Sequence, residues 1–226
     1  MPSSTVENYL KQIYLEQQDL REREGDAHAL VSMGKLAGAM AVTPGTATSM
    51  IKTLAEANLV DYEPRTGVRL THAGEQLALH VLRRHRLVEL FLVKVLGLDW
   101  SEVHDEAEHL EHAISEKVIE RIDALLGHPS VDPHGDPIPT SKGKLATPKL
   151  QSLVDCDLGR PVRIARISDQ EPTFLQFLHR SGLTPGVAVT VSGRDANADS
   201  VVIKTGQRGG VTLGTAAASK ILVESA

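Results

Sequence analysis

The sequence has little of what disulfide-bonded, membrane-spanning or secreted proteins usually carry. Its 226 residues include a single cysteine, Cys156, which excludes an internal disulfide and any zinc site built from several cysteines. The longest apolar stretch, Leu87 to Leu98, is interrupted by Glu89 and Lys94, so we expect no transmembrane helix. The start MPSSTVENYL lacks the basic and apolar regions of a signal peptide. These absences predict a cytoplasmic protein that has no membrane partner.

Motifs of common hydrolytic and nucleotide-dependent enzymes are missing as well. The chain contains no HExxH zinc-protease motif, no glycine-rich phosphate loop and no nucleophile elbow. We therefore expect no enzymatic activity. The catalytic alternative is a helical-bundle metalloenzyme, which would need an open coordination position, a substrate pocket and a positioned acid or base.

An excess of basic residues, which many DNA-binding proteins carry, is absent. The chain has 24 lysines and arginines against 29 aspartates and glutamates, which gives a net charge of −5. Histidine is abundant instead, because six of the ten histidines fall between His72 and His112. Whether these histidines are ligands or buried structural residues must be decided from their spacing.

The segment from Ser32 to Leu70 has the pattern of two short helices followed by a β-hairpin. Ser32 can cap a helix that runs through Met40, and Thr43, followed by Pro44, can cap a second helix that runs to Ala57. Two β-like runs then flank a turn of sequence EPRTG. They span Leu59–Tyr62 and Val68–Leu70. This order, preceded by an amphipathic helix, predicts a winged helix-turn-helix.

The second of these helices exposes small polar and basic side chains of the kind that enter a major groove. The hairpin turn carries an arginine where a wing would meet phosphates. The candidate DNA-binding residues are Thr43, Thr46, Thr48, Ser49, Lys52 and Arg65. The pattern predicts binding to double-stranded DNA, and the alternative is a small helical domain without a nucleic-acid partner.

The rest of the chain divides into a helical part and a β-rich part. Helices rich in Leu, Ile and Val are predicted over Gly74–Leu96 and Trp100–Leu126, and their apolar faces suit a dimer interface. An irregular connection, His128–Thr147, precedes alternating segments that predict a small β-barrel with one short helix. We therefore expect a mainly α, multidomain protein with domains at residues 1–74, 75–147 and 148–226.

Six potential metal ligands recur at coherent helical spacing. At about 100° per residue, the helix after Trp100 places four of them on one arc, and the preceding helix places two more on one face. They are His104, Glu108, Glu111 and His112 on the later helix, and His85 and Glu89 on the earlier one. Facing helices that present imidazoles and carboxylates can hold a divalent cation. The alternatives are a solvated polar face or an acidic surface that serves only as an interface.

Three sequence runs carry a resemblance to a known family. RRHRLVE (Arg83–Glu89), VHDEAEHLEH (Val103–His112) and HGDPIP (His134–Pro139) follow a winged-helix pattern, and this order resembles the diphtheria-toxin-repressor family of metal-dependent transcriptional repressors. The C-terminal β-rich part resembles the FeoA-like, Src-homology-3-like domain of the longer members. The resemblance implies a homodimer that binds Mn(II) or Fe(II) and then operator DNA, and that represses metal-uptake genes.

The resemblance also implies how the ligands are shared between two metal sites. His85, Glu89 and His104 match the family's ancillary site, and Glu108, Glu111 and His112 match its primary site. In relatives, a residue at the position of Asn8 completes the primary site, and the β-domain donates a carboxylate at the position of Asp169.

Three positions differ from relatives in ways that bear on the metal. Glu108 stands where iron sensors carry cysteine, and Asn8 stands where iron sensors carry methionine and certain manganese sensors aspartate. Lys11 replaces a second glutamate of those manganese sensors. A ligand set of oxygen and nitrogen only favours Mn(II), with Fe(II) as the alternative.

Overall fold

The computed structural model of the chain describes residues 3–26, 29–206 and 208–225. One of the ten histidines, His28, lies outside these described residues. The chain forms two compact units, Met1–Arg84 with Pro139–Leu145, and His85–Ile138 with Ala146–Ala226. The first unit contains the predicted winged helix-turn-helix. The second contains the β-rich part and the six candidate metal ligands at positions 85–112.

The first unit begins with the amphipathic helix α1, Ser4–Glu24. The Ser3 hydroxyl caps its start by accepting a hydrogen bond from the Val6 N–H, and Gly25 ends it in the left-handed region at φ 70°. The buried face of α1 packs in the core of this unit and includes Leu10 and Ile13, both fully buried. Periodic apolar residues thus define the helix as predicted.

The helix-turn-helix forms with the predicted caps. Helix α2 spans Met33–Ala39 and helix α3 spans Pro44–Glu56, and the hydroxyls of Ser32 and Thr43 accept backbone N–H groups in their first turns. Strands β1, Val60–Glu63, and β2, Gly67–Leu70, pair antiparallel as the wing. The prediction of this motif is confirmed.

Helix α1 is fastened to the other elements of the first unit by polar contacts. Lys35 of α2 lies 2.6 Å from Glu16 and 2.9 Å from Asp19, and the Gln17 side chain accepts a hydrogen bond from the Leu70 N–H of β2 at 3.1 Å. Helix α4, His72–Lys94, passes from the first unit into the second between Arg84 and His85.

The second unit corrects one helix of the prediction. In place of a single helix over Trp100–Leu126, the chain forms α5, Val103–Glu111, and α6, Glu116–Leu125. The break occurs because Ser115 adopts an extended backbone, φ −72° and ψ 154°, and begins a new helix as its N-cap. The two helices then pack their apolar residues around Leu87 and Ile119.

The C-terminal part of this unit is an antiparallel sheet with two short helices, α7 (Pro172–Ser181) and α8 (Thr215–Ala218). Its six strands are β3 Gln151–Ser152, β4 Pro161–Ile167, β5 Ala188–Asp195, β6 Ser200–Thr205, β7 Arg208–Gly214 and β8 Ile221–Ser225. They hydrogen-bond in the order β3-β8-β4-β5-β6-β7. Among the described residues no ladder joins β7 to the two-residue β3, so the sheet is open and the barrel prediction is corrected.

Two further segments differ from expectation. The run Arg208–Gly210, predicted as a turn, instead starts β7, in which Arg208 pairs with Thr205 of β6. The predicted connection His128–Thr147 has no helix, as expected, but Asp132, His134 and Asp136 within it are buried. None of the described helices is both long and apolar enough to span a bilayer.

Candidate functional site

The structure brings six predicted metal ligands together in the second unit. His85 and Glu89 lie one turn apart on α4, and His104, Glu108 and Glu111 lie on α5. Donor atoms within 4.8 Å of one another form two sets of three, which are His85–His104–Glu108 and Glu108–Glu111–His112. Glu108 belongs to both sets, so these five side chains form a continuous cluster, and Glu89 joins it through a 3.1 Å contact with His85.

His85 lies at the centre of this cluster and faces carboxylates with both ring nitrogens. Its Nε2 lies 3.1 Å from Glu89 Oε1, and its Nδ1 lies 2.6 Å from Glu111 Oε2. His104 approaches Glu89 from α5, with Nδ1 3.4 Å from Oε1. The rings of His85 and His104 meet edge to face at 4.9 Å. His85, Glu89 and His104 are thus in mutual contact, as the resemblance to an ancillary site implies.

Glu111 connects His85 to the other three-residue set. It is 0% exposed, and its second carboxylate oxygen lies 3.2 Å from His112 Nε2. His112 follows the last residue of α5 but keeps a helical backbone, φ −86° and ψ −21°. It therefore stays on the predicted side although the helix ends there.

Sequence reasoning missed two residues, Asp132 and His134, which form a third set of potential ligands with Glu89. His134 is 1% exposed, and its Nδ1 lies 4.0 Å from a carboxylate oxygen of each of the other two. The only local signal for them is a histidine flanked by aspartates in the run DPHGDP, and the proline and glycine content of this run predicts an irregular connection.

The hydrogen bonding of His134 indicates what this third set can bind. Its Nε2 lies 2.8 Å from the Trp100 carbonyl oxygen, which can only accept, so Nε2 donates this hydrogen bond and Nδ1 is the ring nitrogen that faces the carboxylates. Among the described residues, neither His134 Nδ1 nor Asp132 Oδ2 has a hydrogen-bond partner, although Arg86 Nε lies 3.7 Å from Asp132 Oδ2. Two buried atoms of the ligand type beside the Glu89 carboxylate could hold a cation.

Burial and charge act in opposite directions on the carboxyls of this centre. Burial tends to raise the pKa of Glu89, but the neighbouring His85, His104 and His134 lower it below its usual range. Burial raises the pKa of Asp132 well above its usual value, and the nearby carboxylates of Asp136 and Glu89 add to this effect. Burial and the neighbouring carboxylates thus disfavour the charged form of Asp132, and a divalent cation bound beside it would favour that form.

The two ligands expected from the family resemblance alone, Asn8 and Asp169, have other surroundings that can be described. Asn8 belongs to the first unit, where it lines a cavity of about 460 Å³ together with residues of α3. Asp169 lies 2.6 Å from Lys220 Nζ and accepts the Glu171 N–H. The hydrogen bond from Lys220 lowers the pKa of the Asp169 carboxyl. Asp169 is thus bound to a cation of the protein itself.

The predicted DNA-binding residues lie on the surface of the first unit. Thr43, Thr46, Ser49 and Lys52 are exposed at the start and along one side of α3, and Arg65 is exposed in the wing turn at φ 72°. Thr48 is half-buried, and its hydroxyl donates to the Pro44 carbonyl at 2.7 Å. Hydroxyl and methyl groups on an exposed helix suit base edges in a major groove.

A winged helix-turn-helix and a carboxylate–histidine centre in one chain define a metal-dependent transcriptional repressor, which is not an enzyme. The chain belongs to the iron-dependent repressor family. Residues 1–68 match the model for the N-terminal DNA-binding domain of iron-dependent repressors, and residues 71–140 match their metal-binding and dimerisation domain. Residues 151–225 match the FeoA domain. The family resemblance found in the sequence is confirmed.

The relatives differ in the metal with which they are associated. The iron-dependent repressor IdeR of Mycobacterium leprae is 30% identical over 211 residues, 88% of each chain. A manganese-dependent transcriptional repressor in complex with manganese is 40% identical, with a TM-score of 0.85 over 98% of this chain and 100% of that one. ScaR with bound Cd²⁺ is 32% identical, with a TM-score of 0.75 over the full length of both chains. A divalent metal is common to these proteins, but the ion varies.

Proposed function

We propose that the chain is a homodimeric repressor of metal-uptake genes that binds operator DNA in response to Mn(II). The observation that carries the proposal is Glu111, a fully buried carboxylate that contacts His85 at 2.6 Å and His112 at 3.2 Å. A buried carboxylate between two imidazoles suits a divalent cation better than it suits an apolar helix interface. Binding to operator DNA agrees with the cytoplasmic location expected from the sequence.

The donors of the centre support manganese as the metal. Oxygen and nitrogen ligands without thiolate or thioether suit a harder ion such as Mn(II). The proposed ligands are His85, Glu89 and His104 in one site, and Glu108, Glu111 and His112, with the amide of Asn8, in the other. Asp132 and His134 extend the set around Glu89. Fe(II) is the alternative ion, because a site of the same geometry binds it more tightly than Mn(II) in the Irving–Williams order.

A bound cation would supply the positive charge that offsets the repulsion between Glu89, Glu108 and Glu111. With that repulsion offset, α4 and α5 hold one arrangement, and Asn8 draws α1 to the centre. Because α1 is tied to α2 by Lys35 and to the wing by Gln17, its position sets that of the DNA-reading elements. The proposed division of labour is DNA binding by residues 1–74, metal binding and dimerisation by 75–147, and support by 148–226.

The dimer part of the proposal rests on exposed apolar side chains of the second unit. Leu96 is 57% exposed after the end of α4, and Leu125 is 65% exposed at the end of α6. Val95, Leu110 and Val118 are exposed on the same helical part of the chain. A second copy would bury these side chains, and a two-fold dimer would present two α3 helices to a palindromic operator.

Operator binding by the full-length protein should depend on Mn(II). Coupling of about 1–3 kcal/mol per site corresponds to about 5–150-fold tighter DNA binding for each metal site that fills. The measurement is fluorescence anisotropy of a labelled promoter fragment during Mn(II) titration, then chelator addition, with a scrambled fragment of equal length as control. Promoter affinity that responds neither to metal nor to chelator would refute the proposal, and a response to anaerobic Fe(II) alone would favour the iron alternative.

Lys52→Ala should weaken operator binding and make it less sensitive to salt. Lys52 is an exposed cation of α3, and each phosphate contact contributes about 0.9 to the slope of log affinity against log salt concentration. A dimer should therefore lose about 1.8 in slope at saturating Mn(II). Lys117→Ala, which removes an exposed lysine from α6, is the matched control. An unchanged slope in the Lys52 variant would show that this side chain does not contact DNA phosphates.

A further inference from the structure

Asp136 is the centre of a buried polar network that metal binding by itself does not explain. It is 4% exposed. One of its carboxylate oxygens lies 2.6 Å from Arg166 Nε of β4 and 3.6 Å from Arg86 Nη2 of α4. The other accepts a hydrogen bond from the Gln170 side chain at 2.7 Å. A helix, a strand and the segment after that strand thus meet at one carboxylate.

The network encloses the loop 132–137, which carries Asp132 and His134. Arg86 donates to the Pro137 carbonyl at 2.5 Å, which fixes one end of the loop on α4. At the other end, Asp132 Oδ1 accepts the N–H groups of His134 and Asp136 at 2.8 and 2.9 Å. The backbone is therefore held by side chains at both ends.

Strand β4 holds the middle of the same loop. The Ile167 N–H donates to the His134 carbonyl at 2.9 Å. Gly135 lies so close to β4 that an added Cβ would be 1.9 Å from the Ala165 carbonyl oxygen. Ala165 is the extra residue of a β-bulge in the pairing of β4 with β8. Bulges redirect neighbouring side chains, and here Arg166, the next residue, reaches Asp136.

We propose that Asp136, Arg166 and Gln170 are positioning residues that hold His134 Nδ1 and Asp132 towards Glu89, so that the C-terminal sheet is part of the metal sensor. This inference rests on the proposed metal-dependent function. The sheet acts here without donating a ligand of its own, since Arg166 and Gln170 reach the centre only through Asp136 and the loop.

The chemistry of the network indicates that it orients the loop 132–137 and does not merely hold the sheet against that loop. Burying ionic groups is costly, and apolar side chains of similar size often stabilise a contact as well or better. Charged and polar side chains that approach one carboxylate from three directions do, however, restrict the geometry of the loop that carries it. Residues that orient metal ligands in this way typically change metal affinity by about 10–100-fold when they are lost.

The test is Mn(II) binding to the full-length protein, measured by isothermal titration calorimetry and by counting bound Mn(II) with electron paramagnetic resonance. Arg166→Gln should weaken the binding step that His134→Ala removes, by about 10–100-fold, and should leave the other step unchanged. Arg166→Lys, which retains a cation near Asp136, should restore part of the affinity. Arg163→Gln removes an exposed arginine from the same strand and is the matched control.

Mn(II) binding by the wild type and by these variants tests whether Asp136, Arg166 and Gln170 position the ligands. An Arg166→Gln variant that binds Mn(II) like the wild type overturns this inference, and the proposed function then still stands. A wild-type protein that binds no Mn(II) or Fe(II) removes the proposed function itself. If Arg166→Gln does not fold, Gln170→Leu breaks the Asp136 network at a half-buried position and should produce the same selective loss. Unaltered Mn(II) binding by that variant would overturn the inference as well.

Discussion

Replacing Glu111 by glutamine is expected to abolish Mn(II)-dependent operator binding and to leave the protein folded. Glutamine has the size of glutamate, so the fully buried site keeps its shape. It lacks the negative charge, however, and only one of its two terminal atoms can coordinate a metal. The proposed site of Glu108, Glu111 and His112 therefore loses the carboxylate that contacts both His85 and His112.

Thermal unfolding separates this effect from a structural one. Glu111→Gln removes one partner of a buried contact with two imidazoles and should lower the stability of the metal-free protein, so the decisive quantity is the change in stability when Mn(II) is added. Mn(II) at about 100 times its dissociation constant should stabilise the wild type by about 2.7 kcal/mol for each site that it fills, and the gain from the site that contains Glu111 should disappear in the variant. Glu106→Gln changes an exposed glutamate of the same helix and should behave like the wild type. A Glu111→Gln variant that gains as much stability and operator affinity from Mn(II) as the wild type would exclude Glu111 as a ligand.

Local signals in the sequence predict the DNA-binding unit well. The caps at Ser32 and Thr43, and proline at the first position of α3, act within a few residues of the chain. The wing follows from a turn-forming run between two short β-prone segments. Such features depend little on distant residues, so their positions can be predicted from a single sequence.

Features that depend on distant contacts are harder to predict. The break between α5 and α6 is invisible to helical periodicity, because His112 continues the arc of α5 although the helix ends there. Whether the sheet closes depends on pairing between its edge strands, β3 and β7, far apart in sequence. Asp132 and His134 meet Glu89 only because the loop is folded against α4 and β4. The composition of the segment His128–Thr147, by itself, predicts only an irregular connection.

The metal ligands are easier to predict than these long-range features and harder to predict than the helix caps. Spacing on α4 and α5 predicts six side chains that do come together, because each helix presents its ligands independently of the rest of the fold. Asn8 and Asp169 were expected only from the family resemblance. Asp169 is found beside Lys220, and a role as a ligand would require it to exchange that lysine for the metal ion.

Glu108→Cys combined with Asn8→Met is expected to reverse the preference of the protein from Mn(II) to Fe(II). The pair installs a thiolate and a thioether, which favour the softer, later ion over Mn(II). The site can accept the change, because the Glu108 side chain is 30% exposed and lies 3.8 Å from His85 Nδ1 and 3.9 Å from His104 Nε2.

The readout is the ratio of Mn(II) to Fe(II) concentrations that give half-maximal operator binding under anaerobic conditions. This ratio should increase by about 10-fold or more in the double variant, equivalent to at least about 1.4 kcal/mol of altered selectivity. Co(II), which binds thiolates well, should add a sulfur-to-metal absorption band that the wild type lacks. Glu108→Gln is the control, since it removes the charge without adding sulfur and should weaken the response to both ions. A double variant with unchanged selectivity and no such band would place Glu108 and Asn8 outside the coordination sphere, and the preference for manganese would then have to come from the Glu89, Asp132 and His134 set.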